Sequence, residues 1–364
     1  MTHVERIWEK MNENGMEAVL VSSVINQFYI GNFDYTDGYV LVLRDKAYLL
    51  ADFRYIEAAK AAVRDSGLEP YVEVVMPDTS MLRYAAGLLE RHNVKTVHYE
   101  ERELTCEVRD RVEEIFGAVG VEIKSGASVI FADARRVKDA DEIAKICRAQ
   151  ALTDAAFAHI LEFINPDRTE LDVALELEFF MRAHGSQGTA FDTIAVSGSA
   201  SSLPHGVPRP VKLEKGFLTM DFGAKVDGYC SDMTRTVVIG KADEEMKRLY
   251  NTVLTAQTTA ISSLREGMNC SDADKVARDI IDNAGYKGYF GHSLGHGVGL
   301  FIHEEPSFSS RSADKLERGH VVTVEPGIYI EGRYGCRIED MIAVLDDGSI
   351  IDLTHSPKEL IELC

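Results

Sequence analysis

The sequence predicts a two-domain α/β (α+β) protein of 364 residues, and three observations lead there. Residues 1 to about 128 alternate helix and strand signals. From Asp139 the order becomes helix, helix, sheet and then helix, helix, sheet again, which suggests two similar halves about a pseudo-twofold axis. The length is long for one hydrophobic core and comfortable for two. The expected division is a smaller α/β domain over 1–128 and a larger domain over 129–364, with 125–138 as the junction.

In the first domain an amphipathic stretch near Val4–Met11 precedes the apolar run Ala18–Val21. Gly38–Leu43 and Ala47–Leu50, parted by Arg44-Asp45-Lys46, read as a hairpin. Helices follow over Tyr55–Arg64, Met81–His92 and Glu103–Phe116, with a short strand at Thr96–Tyr99. No phosphate loop or ligand constellation stands out here.

In the second domain, Asp139 with Glu142 forms a capping box that opens a helix running to about Ile164, before Asn165-Pro166. Thr169 with Asp172 starts the next helix, which Gly185 ends. Strands are expected at Thr193–Val196, Phe217–Asp221 and Gly228–Ile239, then helices at Ala242–Leu264 and Ser271–Ala284. Further strands are expected at Leu300–Ile302, Val321–Ile330 and Arg337–Leu345.

Composition narrows the partners. A formal charge of −20 argues against nucleic acid or an anionic membrane surface, both of which call for concentrated Lys and Arg. No run approaches the ~20 apolar residues of a membrane span, and the N-terminus lacks a signal-peptide core. Six cysteines at 106, 147, 230, 270, 336 and 364 include no Cys-x-x-Cys, which reads as reduced thiols in a cytoplasmic protein. Cys230 and Cys336, although close to candidate ligands, read as small apolar fillers.

The chemistry gathers between Asp221 and Glu339. With Val226-Asp227 as a two-residue hairpin loop, Asp221 would face Asp232 on one side of a sheet, with Cβ atoms about 5 Å apart. Carboxylates that close repel each other unless a cation or a shared proton intervenes. Glu325 follows Val-Val-Thr-Val and shares a strand face with Thr323; Glu339 shares one with Arg337. An uncompensated carboxylate in a buried sheet costs several kcal/mol. Each acid alone would read as a salt bridge or a hydrogen-bonded core group. Together with His296 in Gly-His-Gly-Val-Gly, the four acids instead read as ligands for a pair of divalent metals. His292 stands four residues before His296, but the glycines at 291, 295, 297 and 299 argue against a zinc-binding helix, and its role stays open. His205 and His303 are not selected by composition.

The segments around Asp221 and Ser-Asp232-Met-Thr-Arg-Thr resemble the metal-binding pattern of the pita-bread metallopeptidases. So do Gly-His296-Gly-Val-Gly-Leu with a later Ile-His303-Glu, Thr-Val-Glu325-Pro-Gly-Ile-Tyr, and Arg-Ile-Glu339-Asp. That group includes methionine aminopeptidase, Xaa-Pro aminopeptidase and Xaa-Pro dipeptidase (prolidase). The likeness covers about residues 139–364, and the preceding segment resembles the creatinase/prolidase N-terminal domain.

The resemblance implies a pita-bread catalytic domain. In it Asp221 would bind one metal in bidentate fashion, Asp232 and Glu339 would bridge both, and His296 and Glu325 would complete the second. A hydroxide bridging the metals would be the nucleophile, with Glu325 relaying its proton and His205 and His303 near the scissile amide. It further implies manganese, with Co²⁺ or Zn²⁺ as alternatives, and a homodimer. The creatinase-like segment favours the proline-directed branch over methionine aminopeptidase, and the five ligand types count against creatinase and against non-catalytic binding relatives. The expected substrates are proline-containing peptides. Xaa-Pro aminopeptidase is the first reading and Xaa-Pro dipeptidase the alternative, the latter needing a cation for the substrate carboxylate, for which Arg311 and Arg337 are candidates.

Overall fold

The computed structural model describes residues 1–363. The chain divides into two compact units, Met1–Arg135 and the residues from Arg136 onward. The cut expected after residue 128 falls inside a helix, Ala127–Arg136.

The first unit holds β1 (Ala18–Val21), β2 (Gly38–Val42), β3 (Ala47–Ala51), β4 (Val72–Val75), β5 (Thr96–Tyr99) and β6 (Glu122–Lys124) in one sheet, ordered β4-β3-β2-β1-β5-β6. The hairpin read from the sequence is β2–β3, paired antiparallel from Val42↔Ala47 to Gly38↔Ala51. Helices α1 (His3–Glu13), α2 (Val24–Gly31), α3 (Ile56–Asp65), α4 (Met81–Arg91), α5 (Cys106–Gly117) and α6 (Ala127–Arg136) complete it. The sequence reading passed over α2, which is short and buried on most of its surface and so carries little amphipathic period. Its start is fixed by the Ser23 side chain, which accepts from Asn26 N, and by the buried Glu100 carboxylate, which accepts from the Ser22 and Ser23 amides.

The second unit opens with α7 (Ala140–Phe163) and α8 (Glu170–Ala183), both started by the capping boxes that the sequence shows. Next come β7 (Gly188–Thr189), β8 (Ile194–Ser197), β9 (Gly216–Phe222), β10 (Ala224–Val226), β11 (Tyr229–Cys230) and β12 (Met233–Ile239). Helices α9 (Glu244–Ser263) and α10 (Cys270–Ile281) follow. The chain then forms β13 (Gly295–Gly297), β14 (Glu304–Phe308), β15 (Val321–Val324), β16 (Gly327–Ile330), β17 (Tyr334–Arg337), β18 (Asp340–Val344), β19 (Ile350–Asp352) and β20 (Glu362–Leu363). The first half forms the sheet β20-β12-β9-β8 and the second β14-β13-β15-β18-β19. Each sheet buries its apolar face against its own helix pair. Phe157, Ile160 and Leu177 pack with Leu218, Met220 and Val237; Leu249, Val253 and Ala277 pack with Val322, Val324 and Ile342. This mixed α/β arrangement has the two halves that the repeated order of elements suggested and is the pita-bread fold that the resemblance implied.

The hairpin register differs from expectation. Asp221 pairs with Thr234, and Val226 pairs with Tyr229, so the loop is Asp227-Gly228 rather than Val226-Asp227. Both loop residues have positive φ, 50° and 82°, the conformation of a type I′ turn, which Asp-Gly favours. The slip is two residues, and strand side chains alternate with period two, so Asp232 keeps the face of Asp221 as a diagonal neighbour.

Three strands expected to be continuous are broken, each at or beside a carboxylate. Gly228–Ile239 breaks at Ser231-Asp232, Val321–Ile330 at Glu325-Pro326, and Arg337–Leu345 at Ile338-Glu339. Pro326 lacks an N–H and cannot continue a ladder. The Leu300–Ile302 segment is not a strand but part of the irregular link between β13 and β14. Four glycines precede it at 291, 295, 297 and 299, and at Gly295 a Cβ would collide with the Thr323 carbonyl of β15.

Gly223, where β9 hands over to β10, approaches the Ser231 carbonyl so closely that a Cβ would overlap it. Gly223→Ala should therefore lower stability by ~1–3 kcal/mol, as overpacking does. A thermal melt checks this, and an unchanged midpoint would show that the two segments part without cost.

Candidate metal centre

Asp221 lies in β9 and His296 in β13, while Asp232, Glu325 and Glu339 sit at the three strand breaks. A break lets the backbone turn, so acids from different strands converge instead of standing in parallel rows. Asp232, His296 and Glu339 each offer a ligand atom within 4.8 Å of the other two. His296 Nε2 lies 3.6 Å from Asp232 Oδ2 and 3.5 Å from Glu325 Oε1. Its Nδ1 stands 3.0 Å from the Gly297 carbonyl; a proton held there to donate leaves Nε2 free to act as a ligand.

Neighbouring side chains hold the carboxylates. Thr234 Oγ1 donates to Glu339 Oε2 at 2.7 Å, and Thr323 Oγ1 donates to Glu325 Oε1 at 3.3 Å. Arg337 Nη2 donates to Asp221 Oδ2 at 2.5 Å, its Nε to Thr234 Oγ1 at 2.9 Å, and its Nη1 to Tyr329 Oη at 2.7 Å. Tyr329 Oη in turn lies 2.9 Å from His292 Nε2. Sequence reasoning placed Thr323 on the face of Glu325 but gave no role to Thr234 or Tyr329. The available signal was parity: each threonine stands two residues from an acid, on its face.

Burial and mutual repulsion dominate the electrostatics. Burial pushes the Asp232 carboxyl well up, helped by the charges of Glu339, Asp221 and Glu325. Burial likewise raises Glu339, with Glu325 and Asp221 adding to it, and lifts Glu325 to about 8. Burial drives His296 down to about 4 and His292 to about 3, so both are neutral near pH 7. Desolvation opposes the Arg337 charge, yet Tyr329, Asp221 and Glu325 outweigh it. Asp221 Oδ1 is buried and accepts no hydrogen bond among the described residues. An orphaned oxygen, three carboxyls resisting ionisation and a neutral imidazole are a donor set that divalent cations fit.

These residues line a cleft of about 750 Å³, together with His205, His292, His303 and Arg337. The His303 ring centroid is 4.5 Å from that of His296. Leu171, Leu175, Phe191 and Val207 form an apolar wall. Arg311 stands apart: it is exposed on the turn after β14 and does not line the cleft.

Residues 144–346 match metallopeptidase family M24, and residues 3–137 match the creatinase/prolidase N-terminal domain. The chain belongs to metallopeptidase family M24. A Xaa-Pro dipeptidase from Bacillus anthracis has a similar structure (TM-score 0.93, 40% identity, 99% of each chain covered). So has an X-Pro aminopeptidase from Thermotoga maritima (TM-score 0.88, 33% identity, 98% of this chain and 100% of that one). A Xaa-Pro dipeptidase from Pyrococcus horikoshii is 35% identical over 98% of both chains.

A carboxyl whose folded pKa is raised stabilises the fold while protonated and loses that contribution as pH climbs from its unfolded value towards the folded one. Metal-free protein should therefore weaken as pH rises from the unfolded value near ~4.3 to about 8 for Glu325. Added Mn²⁺ should raise the melting temperature more at about pH 8 than at about pH 5.5, where protons compete for the same oxygens. Scanning fluorimetry at both pH values checks this; an equal rise at both would contradict it.

Proposed function

We propose that this protein is a two-metal Xaa-Pro aminopeptidase, cutting the bond between an N-terminal residue and a following proline. The observation that carries the reading is the convergence of Asp221, Asp232, His296, Glu325 and Glu339 on one cleft, from strands and strand breaks in both halves of the second unit. Asp221 would serve one cation, His296 and Glu325 the other, and Asp232 and Glu339 both. The close approach of His296 to Glu325, and the Arg337 clamp on Asp221, support that division. Two such cations supply a water made nucleophilic near neutral pH and a polarised carbonyl.

The chain's own groups do the rest. Glu325 would take the proton on its reachable carboxylate oxygen and return it to the leaving nitrogen. His205 and His303 would donate N–H to the carbonyl oxygen as charge develops there, and burial keeps the His303 ring neutral by lowering its pKa. A proline nitrogen carries no hydrogen in the peptide, so a site that demands no N–H from the scissile bond suits it.

The choice of aminopeptidase rests on the cleft. Arg337 is its one Lys or Arg among the described residues, and that guanidinium is committed to Asp221, Thr234 and Tyr329. Such a cleft suits a peptide that continues beyond proline better than a dipeptide carboxylate. The second reading, a Xaa-Pro dipeptidase, draws on the relatives that bear that name. Manganese, a homodimer and a cytoplasmic location belong to the same proposal; the donor set supports the metal, and the free thiols of Cys106, Cys147, Cys230, Cys270 and Cys336 support the compartment.

Chelator-treated protein given Mn²⁺ should cleave Xaa-Pro-Yaa peptides, whereas cleavage confined to Xaa-Pro dipeptides would establish the second reading. Asp232→Ala should reduce kcat by at least about 10³-fold and abolish full metal loading while circular dichroism stays native. A metal-free variant that remained fully active would sink the metallopeptidase mechanism.

A further inference from the structure

Glu339 lies between β17 and β18, outside both strands, so no sheet ladder holds its peptide group. Thr234 and Arg235 of β12 hold it instead. The Glu339 amide donates to the Thr234 carbonyl at 3.1 Å, and Arg235 Nη1 donates to the Glu339 carbonyl at 2.5 Å. Arg235 is among the largest fully buried side chains, with 1% of its surface exposed. A guanidinium has five N–H donors, and here each has a partner. Nε donates to the Pro357 carbonyl (3.0 Å); Nη1 to the carbonyls of Thr234 (3.0 Å) and Glu339; Nη2 to Asp340 Oδ1 (2.7 Å) and the Ser356 carbonyl (2.9 Å).

The far side of this knot is anchored in turn. Asp340 Oδ2 accepts from Gln257 Nε2 at 2.6 Å and pairs with Lys358 Nζ. Ser356, whose carbonyl Arg235 binds, is tied to Asp154 on α7 through its amide (2.9 Å) and hydroxyl (2.5 Å). Arg235 thus joins three backbone segments behind the acids: the start of β12, the β17–β18 break and residues 356–357. Its charge is matched by Asp340, so it need not draw on the Glu339 carboxylate.

We infer that Arg235 is a positioning residue for Glu339, fixing the peptide of that acid so that its carboxylate meets Asp232 and His296 at a distance one cation can span. The inference rests on the metal-binding reading of these acids. A planar fork with five donors is needed for it, and a lysine ammonium, with three donors on a flexible stem, cannot replace it.

The test compares Mn²⁺ titration calorimetry of chelator-treated wild type, Arg235→Lys and Gln257→Leu, with kcat and KM on a Xaa-Pro-Yaa peptide. Arg235→Lys should bind Mn²⁺ about 10-fold or more weakly and lose kcat with little change in KM, the scale typical of partners that orient a ligand. Gln257→Leu removes a hydrogen bond to the same Asp340 without touching the Glu339 carbonyl. It should lower the melting temperature while leaving Mn²⁺ affinity within about twofold. If Arg235→Lys fails to fold, Arg235→Gln serves in its place, a shorter uncharged side chain that loses the fork to the Glu339 carbonyl and Asp340; it too should weaken Mn²⁺ binding by about 10-fold or more. Wild-type affinity in the folded Arg235→Lys protein, or in Arg235→Gln if that replaces it, would overturn the positioning role alone. A wild type that binds no Mn²⁺ would overturn the metal reading and this inference with it. A wild type that binds Mn²⁺ but hydrolyses nothing would fault only the substrate, and the affinity comparison would still decide the role of Arg235.

Discussion

Four carboxylates share one buried place in this protein, and like charges taken out of water do not stay together unaided. Asp232, Glu325 and Glu339 all resist ionisation for that reason, and Asp221 keeps one oxygen without a partner among the described residues. The surroundings show how the cost is managed. One guanidinium, Arg337, neutralises part of the charge from the side, and two threonine hydroxyls hold individual oxygens. The remaining charge matches what divalent cations supply. A stable fold around such a cluster, in a chain of a metallopeptidase family, makes cation binding and folding two aspects of one free energy.

The fold brings these groups together by interrupting its own sheets. Regular strands would carry Asp232, Glu325 and Glu339 on separate parallel rows. The breaks at Ser231-Asp232, Glu325-Pro326 and Ile338-Glu339 place each of them outside the ladders, and all three line one cleft. The break at Glu339 gives up ladder hydrogen bonds, and other partners restore them: the Thr234 carbonyl accepts from the Glu339 amide and Arg235 Nη1 donates to the Glu339 carbonyl. In β13, Thr323 Oγ1 accepts from the His296 amide at 3.1 Å. The two helix pairs, each sealed to its own sheet, form the rigid backing against which these irregular segments are held.

Much of this was legible in the residues themselves. The capping boxes at Asp139/Glu142 and Thr169/Asp172 placed two helices, because an N-cap is a local interaction within four residues. The same strand face for Asp221 and Asp232 followed from period-two alternation, which survives a register slip of two. The motifs around the five candidate ligands pointed to the family, and the succession of helix and strand signals from Asp139 onward pointed to two similar halves.

Other features needed the folded chain. The turn at Asp227-Gly228 depends on which of two overlapping dipeptides takes positive φ, and the strand pairing decides that. The strand breaks escaped the sequence reading because apolar alternation runs straight through Ile338-Glu339-Asp340. Arg235, read only as part of a motif, acquires five acceptors from segments up to 122 residues away. Arg311 and Arg337 were both candidate cations for a substrate carboxylate, yet one is exposed outside the cleft and the other is locked to Asp221. Residue type and local spacing determined which chemistry was available. The tertiary structure decided which groups share it, because burial and long-range hydrogen bonds exist only once distant segments meet.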